Sequence, residues 1–242
     1  MSNRLDQELV RRGLAESRSR AQAMIIEGLV AVGGIAATKA SRSIGAEDVI
    51  TLLGEPMPWV SRGALKLVHA LDHFAIDPKG LVALDLGAST GGFAEVLVSR
   101  GAQSVHAVDV GHGQLHARLQ AEPRIQSLEG TDVRDLVAGM VPAPQLITAD
   151  LAFISLRKAL GPALDLALPH AVLVALVKPH FEVGRENVGK GGIVRDPAAR
   201  AGACDAVAAF LEAEGWAAAP PIESPIAGGD GNVEFLLMAR KR

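Results

Sequence analysis

Between residues 82 and 239 short apolar runs of strand length alternate with stretches of helical periodicity, and this alternation restricts the fold more than any other feature. The strand-like runs fall at 82–86, 104–109, 125–128, 145–150, 171–177, about 217–222 and 233–239. Helical patterns occupy 92–100, 114–121, 133–139, 156–168 and 197–215, with another over 61–74 ahead of the first strand. Such a pattern predicts an α/β fold: a seven-stranded, mostly parallel sheet covered on both faces, closed by one antiparallel strand. Ligands bind such sheets outside the carboxyl ends of the parallel strands. Asp150 ends one run, Lys178 directly follows the unbroken apolar run 171–177, and Glu234 sits where the last strand begins. Lys66, from the helix before the first strand, is the fourth charge expected at that edge.

The composition narrows the function classes. With 49% hydrophobic and 21% charged residues, the 242-residue chain has ample core material and no low-complexity tract. Tyr is absent and aromatics make up 3%, which argues against an aromatic base-stacking sheet. The single Cys204 excludes a disulfide framework and a cysteine zinc site, and the acids are not spaced as metal ligands. No stretch has the length and apolarity of a membrane span or signal peptide, so a cytoplasmic location without membrane contact is expected.

Residues 1–66 carry nine Lys and Arg against seven Asp and Glu, the remainder fifteen against twenty. A basic N-terminal module on an acidic body suits a polyanionic partner. Within it, residues 4–13 read as a helix stopped by Gly13, and Ser17 caps a second helix over 18–27 ended by Gly28. Residues 29–32, the Gly33-Gly34 turn and residues 48–53 read as a small β unit, α+β in all, with little core of its own. Gly54-Glu-Pro-Met-Pro58 breaks regular structure. The expected division is a module of residues 1–55, a linker at 56–60 and a large domain over 61–242.

The stretch Val82-Ala-Leu-Asp-Leu-Gly-Ala-Ser-Thr-Gly-Gly-Phe93 joins a strand to a helix through a glycine turn. Gly87, Gly91 and Gly92 allow close backbone approach to a ligand, with Ser89, Thr90 and Phe93 completing the turn. It has neither the dinucleotide G-x-G-x-x-G pattern nor the Gly-Lys-Ser/Thr of a P-loop. Asp85, at the strand end, suits a ligand with an ammonium group. Asp109, ending the second strand, stands where an acid accepts ribose hydroxyls. Asp132, with Val133 after the third strand, is placed for an adenine amino group. Singly, each acid is as often a helix cap. In register after three successive strands, they fit S-adenosyl-L-methionine better than NAD.

Lys178 at the end of an apolar strand reads plainly as a snorkelling residue or a member of an ion pair. The sharper reading is a base, its pKa lowered by desolvation and by Lys66, that deprotonates a ribose 2′-hydroxyl. Lys66 then stabilises the alkoxide, Glu234 holds Lys66, and Asp150 fixes Lys178 and borders the cofactor. No metal is required.

Asp85-Leu-Gly-Ala-Ser-Thr-Gly-Gly-Phe93, Val177-Lys-Pro-His-Phe-Glu182, Gly189-Lys-Gly-Gly-Ile-Val-Arg-Asp196 and Gly231-Asn-Val-Glu234 together resemble the TlyA (haemolysin A) family, whose members are similar to FtsJ-type ribose methyltransferases. Arg4-Leu-Asp, Arg12-Gly-Leu14 and Ser17-Arg18 with Gly28 resemble the RNA-binding domain named after ribosomal protein S-four. The resemblance spans nearly the whole chain in motif order. It implies a class I, Rossmann-like, S-adenosylmethionine-dependent methyltransferase acting on a ribose, that of cytidine, in ribosomal RNA. It also implies that Lys66, Asp150, Lys178 and Glu234 form the catalytic tetrad and that the small domain docks on ribosomal subunits, with no stable protein partner.

Arg4, Arg12, Arg18, Arg20, Lys39 and Arg42 are the phosphate contacts expected in the small domain, although arginines at such spacings usually line a solvated face. Arg185, Lys190 and Arg195 lie in a glycine-rich stretch after Lys178, suited to cover a target nucleotide. Phe181 is placed to stack on a flipped base, though core packing is the commoner role. Three rival readings stand beside this one: a lytic protein, which lacks a membrane segment; a non-catalytic RNA-binding assembly factor, which needs no pair of buried lysines; and an NAD oxidoreductase, which has the wrong glycine pattern.

Overall fold

The structure, a computed structural model, describes residues 3–26, 28–54 and 58–242, without the side chain of Arg185. The chain divides into two compact units, Met1–Pro58 and Trp59–Arg242. Residues 56 and 57 of the expected linker, and residue 27 at the end of the second helix, lie outside the described residues.

In the first unit β1 (Asn3–Arg4) leads into α1 (Leu5–Arg11) and α2 (Arg18–Ile26), followed by β2 (Val30–Val32), β3 (Ile35–Ala36), β4 (Ser43–Ile44) and β5 (Ile50–Leu52). Gly13 turns the chain out of α1 at φ +72°, and Ser17 Oγ caps α2 by accepting from Arg20 N at 3.2 Å. β2 pairs antiparallel with β3 and β5, and β1 with β4. The β1–β4 pairing was not expected, because two-residue strands leave no periodic signal. Nor is the core meagre: Leu5, Leu9, Met24, Ile25, Val30 and Ile44 are fully buried together.

The second unit runs α3 (Ala64–His73), β6 (Val82–Leu86), α4 (Gly92–Ser99), β7 (Ser104–Asp109), α5 (Ala117–Gln120), β8 (Ile125–Glu129), β9 (Leu146–Ala149), α6 (Leu156–Ala159), α7 (Gly161–Leu166), β10 (Val172–Val177), α8 (Pro179–Glu182), α9 (Pro197–Ala213), β11 (Trp216–Ala218), β12 (Ile222–Glu223) and β13 (Phe235–Lys241). Its sheet, in the order β11-β13-β10-β9-β6-β7-β8 with β12 beside β13, has eight strands among the described residues rather than seven. The expected strand over 217–222 is cut in two because Pro220 and Pro221 cannot donate to a ladder. β13 is antiparallel to its neighbours, whereas β10, β9, β6, β7 and β8 run parallel.

Two expected helices are also reduced. Residues 133–139 form only a single turn at Val133–Asp135, since Gly139 turns at φ +93° and Pro142 follows. The 156–168 helix breaks into α6 and α7 where Gly161-Pro162 interrupts the donor series. Side chains alternate across the sheet as a pleat requires. Leu84, Leu86, Ile147, Leu173, Ala175 and Val177 pack with α6, α7 and α9, while Ala83, Val105, Leu146, Val174 and Leu176 pack with α3 and α4. From β6 the order runs to β7 and β8 one way and to β9 and β10 the other. The switch point therefore lies at the carboxyl ends of β6 and β9.

Candidate active site

The strand register collects the edge charges. Val177 of β10 faces Phe235 of β13, so Lys178 and Glu234, one residue beyond, leave the sheet on the same side. Glu234 thus precedes β13 rather than opening it. Ala149 of β9 lies beside Ala175 of β10, and Asp150 emerges at that edge too. Lys66 of α3 places Nζ 2.5 Å from Glu234 Oε2, in a pair whose side chains are 9% and 4% exposed. Lys178 Nζ lies 2.6 Å from Asp150 Oδ1 but off the line of a hydrogen bond, and Asp150 is 23% exposed. One pair is sealed and the other open to a ligand. A Cβ on Gly228 would come 2.7 Å from Glu234 Oε1, so the turn before β13 packs closely over that carboxylate.

Beside Asp150 is a cavity of about 220 Å³ lined by Ser61, Gly63, Gly87, Ala88, Ser89, Thr90, Gly92, Phe93 and Asp150. Six of the expected cofactor residues form its wall, and Gly91, at φ +94°, swings the chain into α4. Gly87 is at φ +79°, and a Cβ there would stand 2.5 Å from the Asp150 carbonyl oxygen. Asp109 secures the turn, Oδ2 accepting from Ser89 N at 2.8 Å and Oδ1 from Gly111 N at 2.7 Å.

Asp85 and Asp132 are not in the wall. Asp132 caps the turn at Val133–Asp135 and pairs with the Arg134 guanidinium at 2.5 Å, which holds its pKa down to about 2. Val133 is buried beneath it. Asp85 is fully buried under the glycine turn, Oδ1 accepting from Thr148 Oγ1 at 2.8 Å. Burial, with the charge of Asp150 adding to it, pushes the Asp85 pKa up to about 7. The unfolded carboxyl ionises near 3.8, so the folded state holds its proton more tightly and loses stability as pH rises from 3.8 through about 7. Asp85→Asn should flatten that slope and raise the thermal midpoint at pH 8, each tenfold difference in proton affinity that it abolishes contributing at most about 1.4 kcal/mol. Melting curves at pH 4 and pH 8 check this, and an unchanged midpoint at pH 8 contradicts it.

Several residues carried no legible motif. Ser61 and Gly63 complete the cavity from the segment before α3. Glu129 shapes the loop after β7 by accepting from Gly113, Gln114 and Leu115 N at 2.7–2.9 Å. Phe153, three residues past Asp150, is 93% exposed at φ +66°, its ring 5.8 Å from that of Phe181. A large apolar side chain in a sparsely allowed backbone region, turned to solvent, is typical of a contact site.

The basic residues of the small unit divide. Arg4 and Arg18 pair with buried Asp6 at 3.0 and 3.1 Å. Arg12 pairs with buried Glu8 at 2.7 Å and donates to the carbonyls of Asp48 and Gly45. The Arg4 guanidinium holds Asp6, and those of Arg11 and Arg12 hold Glu8, well below the usual carboxylate range. Arg12 is therefore a brace as much as a surface charge. Arg20 lies half-buried in α2. Lys39 is exposed and Arg42 half-buried, neither of them in an ion pair among the described residues. In the large unit Lys190 and Arg195 are exposed, in and after the turn Lys190–Gly192.

Among the described residues no helix is long and apolar enough to cross a membrane, and no group of three or more His, Cys, Asp or Glu is placed to hold a metal. The FtsJ-like methyltransferase model matches residues 59–241 and the S4 domain model residues 3–50. The chain is 46% identical to the 16S/23S rRNA (cytidine-2′-O)-methyltransferase TlyA of Mycobacterium tuberculosis, over 98% of this chain and 89% of that one. It is 36% identical to Hemolysin A of Brachyspira hyodysenteriae, over 96% and 98%. A solved structure from Streptococcus thermophilus, provisionally named a hemolysin, matches 99% of this chain and 88% of that one with a TM-score of 0.78 at 36% identity. Two ion pairs at the switch edge, a glycine turn fitted to Asp150 and these likenesses agree: the chain belongs to the TlyA family, an FtsJ-like, S-adenosylmethionine-dependent methyltransferase joined to an S4 domain.

Proposed function

We propose that the chain methylates a ribose 2′-hydroxyl of cytidine in ribosomal RNA, taking assembled ribosomal subunits as substrate in the cytoplasm. The observation that carries this reading is Asp150, which lines the glycine-turn cavity and pairs with Lys178 at 2.6 Å, with Lys66 and Glu234 at the same sheet edge. The cavity fits the cofactor by its chemistry: the Asp150 carboxylate for a cationic group, and a wall at Gly87 that packs against the Asp150 backbone too closely for any Cβ. S-adenosylmethionine, when bound, supplies an electrophilic methyl on a sulfonium.

Gly87, Ser89, Thr90, Gly91, Gly92, Phe93 and Asp150 would hold the methionyl end, Asp109 the ribose, and Asp132 with Val133 the adenine. Asp85 supports the turn from beneath. Lys178, as the neutral amine left when its own proton passes to solvent, accepts the hydroxyl proton, Asp150 orients it, Lys66 stabilises the alkoxide, and Glu234 keeps Lys66 aimed. Phe153 offers a stacking face for a base turned out of its helix. Residues 1–55 serve as the RNA-binding module, 56–60 as linker and 61–242 as the catalytic domain. Arg4, Arg12, Arg18, Arg20, Lys39, Arg42, Arg185, Lys190 and Arg195 contribute positive charge toward RNA.

Transfer of tritiated methyl to purified subunits tests the activity, and subunits that bind without acquiring label would favour a non-catalytic assembly factor. Because Arg4, Arg12 and Arg18 are already paired, Lys39 and Arg42 give the cleaner test of docking. Lys39→Glu with Arg42→Glu should weaken subunit binding and lower the salt slope by about 2. Wild-type affinity across a salt series would remove both from the interface.

A further inference from the structure

We propose that Glu182 is a positioning residue of this methyl-transfer site, locking together the two loops that carry Asp150 and Lys178. The proposal rests on the functional reading above. β9 and β10 are adjacent and parallel, and each gives way to a loop bearing one reaction-edge charge and one aromatic ring. Asp150 and Phe153 belong to the loop between β9 and α6, Lys178 and Phe181 to the turn from β10 through α8. Three contacts join the loops: the Asp150–Lys178 pair at 2.6 Å, the Phe153–Phe181 rings at 5.8 Å, and Glu182.

Glu182 is 7% exposed, and its carboxylate accepts from Ser155 Oγ at 2.6 Å, Leu156 N at 2.7 Å and Arg157 Nε at 3.3 Å. Arg157 Nη2 also donates to the Glu182 carbonyl at 2.9 Å. Glu182 thereby ties the end of α8 to the start of α6, where the loop after Asp150 ends.

The other two contacts cannot keep the loops in register through a turnover. A base at Lys178 gains and loses a proton in every cycle, so the charge of its pair with Asp150 changes each time. The Phe153 ring is almost wholly in solvent and must accommodate whatever stacks on it. The Glu182 clasp takes no part in the chemistry, is shielded from water and is charge-assisted throughout. Displacement of reacting groups by about 1 Å costs roughly 10²-fold in rate; because Asp150 N is separately held to Leu86 O at 2.9 Å beside the cavity, loss of the clasp acts on turnover more than on cofactor binding.

The test uses the full chain with Glu182→Ala and Glu182→Gln. Single-turnover transfer of tritiated methyl to purified ribosomal subunits, calorimetric titration of S-adenosylmethionine and amide hydrogen exchange over residues 151–156 are measured. Glu182→Ala should lower the transfer rate about 10²-fold with cofactor affinity within about two-fold, and speed exchange at the Leu156 amide. Glu182→Gln keeps an acceptor for that amide and should recover most of the rate. An unchanged rate in Glu182→Ala overturns the proposal, as does a loss of cofactor affinity as large as the loss of rate. If the wild-type chain transfers no methyl to RNA the functional reading fails, while exchange at Leu156 still decides the clasp: wild-type protection in Glu182→Ala refutes it.

Discussion

Lys178→Ala is expected to lower methyl transfer by about 10²–10⁴-fold while leaving S-adenosylmethionine affinity within a few fold, the range attributed to a positioned general base. As a neutral amine Lys178 is a far stronger base toward a sugar hydroxyl than the Asp150 carboxylate, and Asp150, partly open to solvent, survives its removal without a large desolvation cost. Lys66→Ala is a poorer experiment. It strands the sealed Glu234 carboxylate, and breaking a buried pair from one side costs about 3–5 kcal/mol, so lost activity there mixes chemistry with unfolding. Lys178→Arg sharpens the test, because guanidinium keeps the charge but cannot give up its proton. It should be as inactive as alanine. Stopped transfer assays beside calorimetric cofactor binding measure both quantities, and near-wild-type turnover in Lys178→Arg would reduce the lysine to an electrostatic part.

Gly87→Ala is the second large effect. Its Cβ would press on the Asp150 carbonyl oxygen at 2.5 Å and carbon at 3.0 Å, and neither backbone atom can rotate away. At φ +79° a side chain costs about 1 kcal/mol before any contact is counted. Relief requires the ends of β6 and β9 to part, which carries Asp150 away from Lys178 and opens the cavity. The expected outcome is a loss of about 3 kcal/mol or more in stability and a fall of about 10²-fold or more in cofactor affinity. Gly113→Ala is the control: φ is +66° there too, but nothing lies within 4 Å of the added carbon. Thermal melts and cofactor titration of both variants separate close approach from backbone strain, and equal losses in the two would show that the fit between Gly87 and Asp150 contributes nothing.

The sheet was legible because its strands have strong local causes. β10 is buried on both faces, so its sequence is an unbroken apolar run, and the edge rule for parallel strands then placed Asp150 and Lys178 without reference to distant residues. The elements misread were those where a local breaker outweighed periodicity: Pro220-Pro221 splitting a strand, Gly161-Pro162 splitting a helix, and Gly139 with Pro142 erasing one. Other features have no local signature at all. Whether Arg12 faces phosphate or folds onto Glu8 and two carbonyls depends on residues up to 36 positions away. Asp85 and Asp132 sit at the strand ends their spacing suggested, yet burial beneath the turn and capture by Arg134 keep them out of the cavity wall, which spacing cannot reveal. Phe153 is invisible to pattern reading because an exposed aromatic in a loop follows no period.

Chemically, a methyl on a 2′-oxygen removes the internal nucleophile that cleaves RNA in alkali. Subunit RNA labelled by the purified chain and then digested with alkali is therefore the most direct measurement. The label should be retained in an alkali-resistant dinucleotide whose 5′ residue is cytidine, and should be absent when Lys178→Ala is used. Label released on a free base-modified mononucleotide would contradict transfer to ribose and, with it, the role given to the two lysines at the sheet edge.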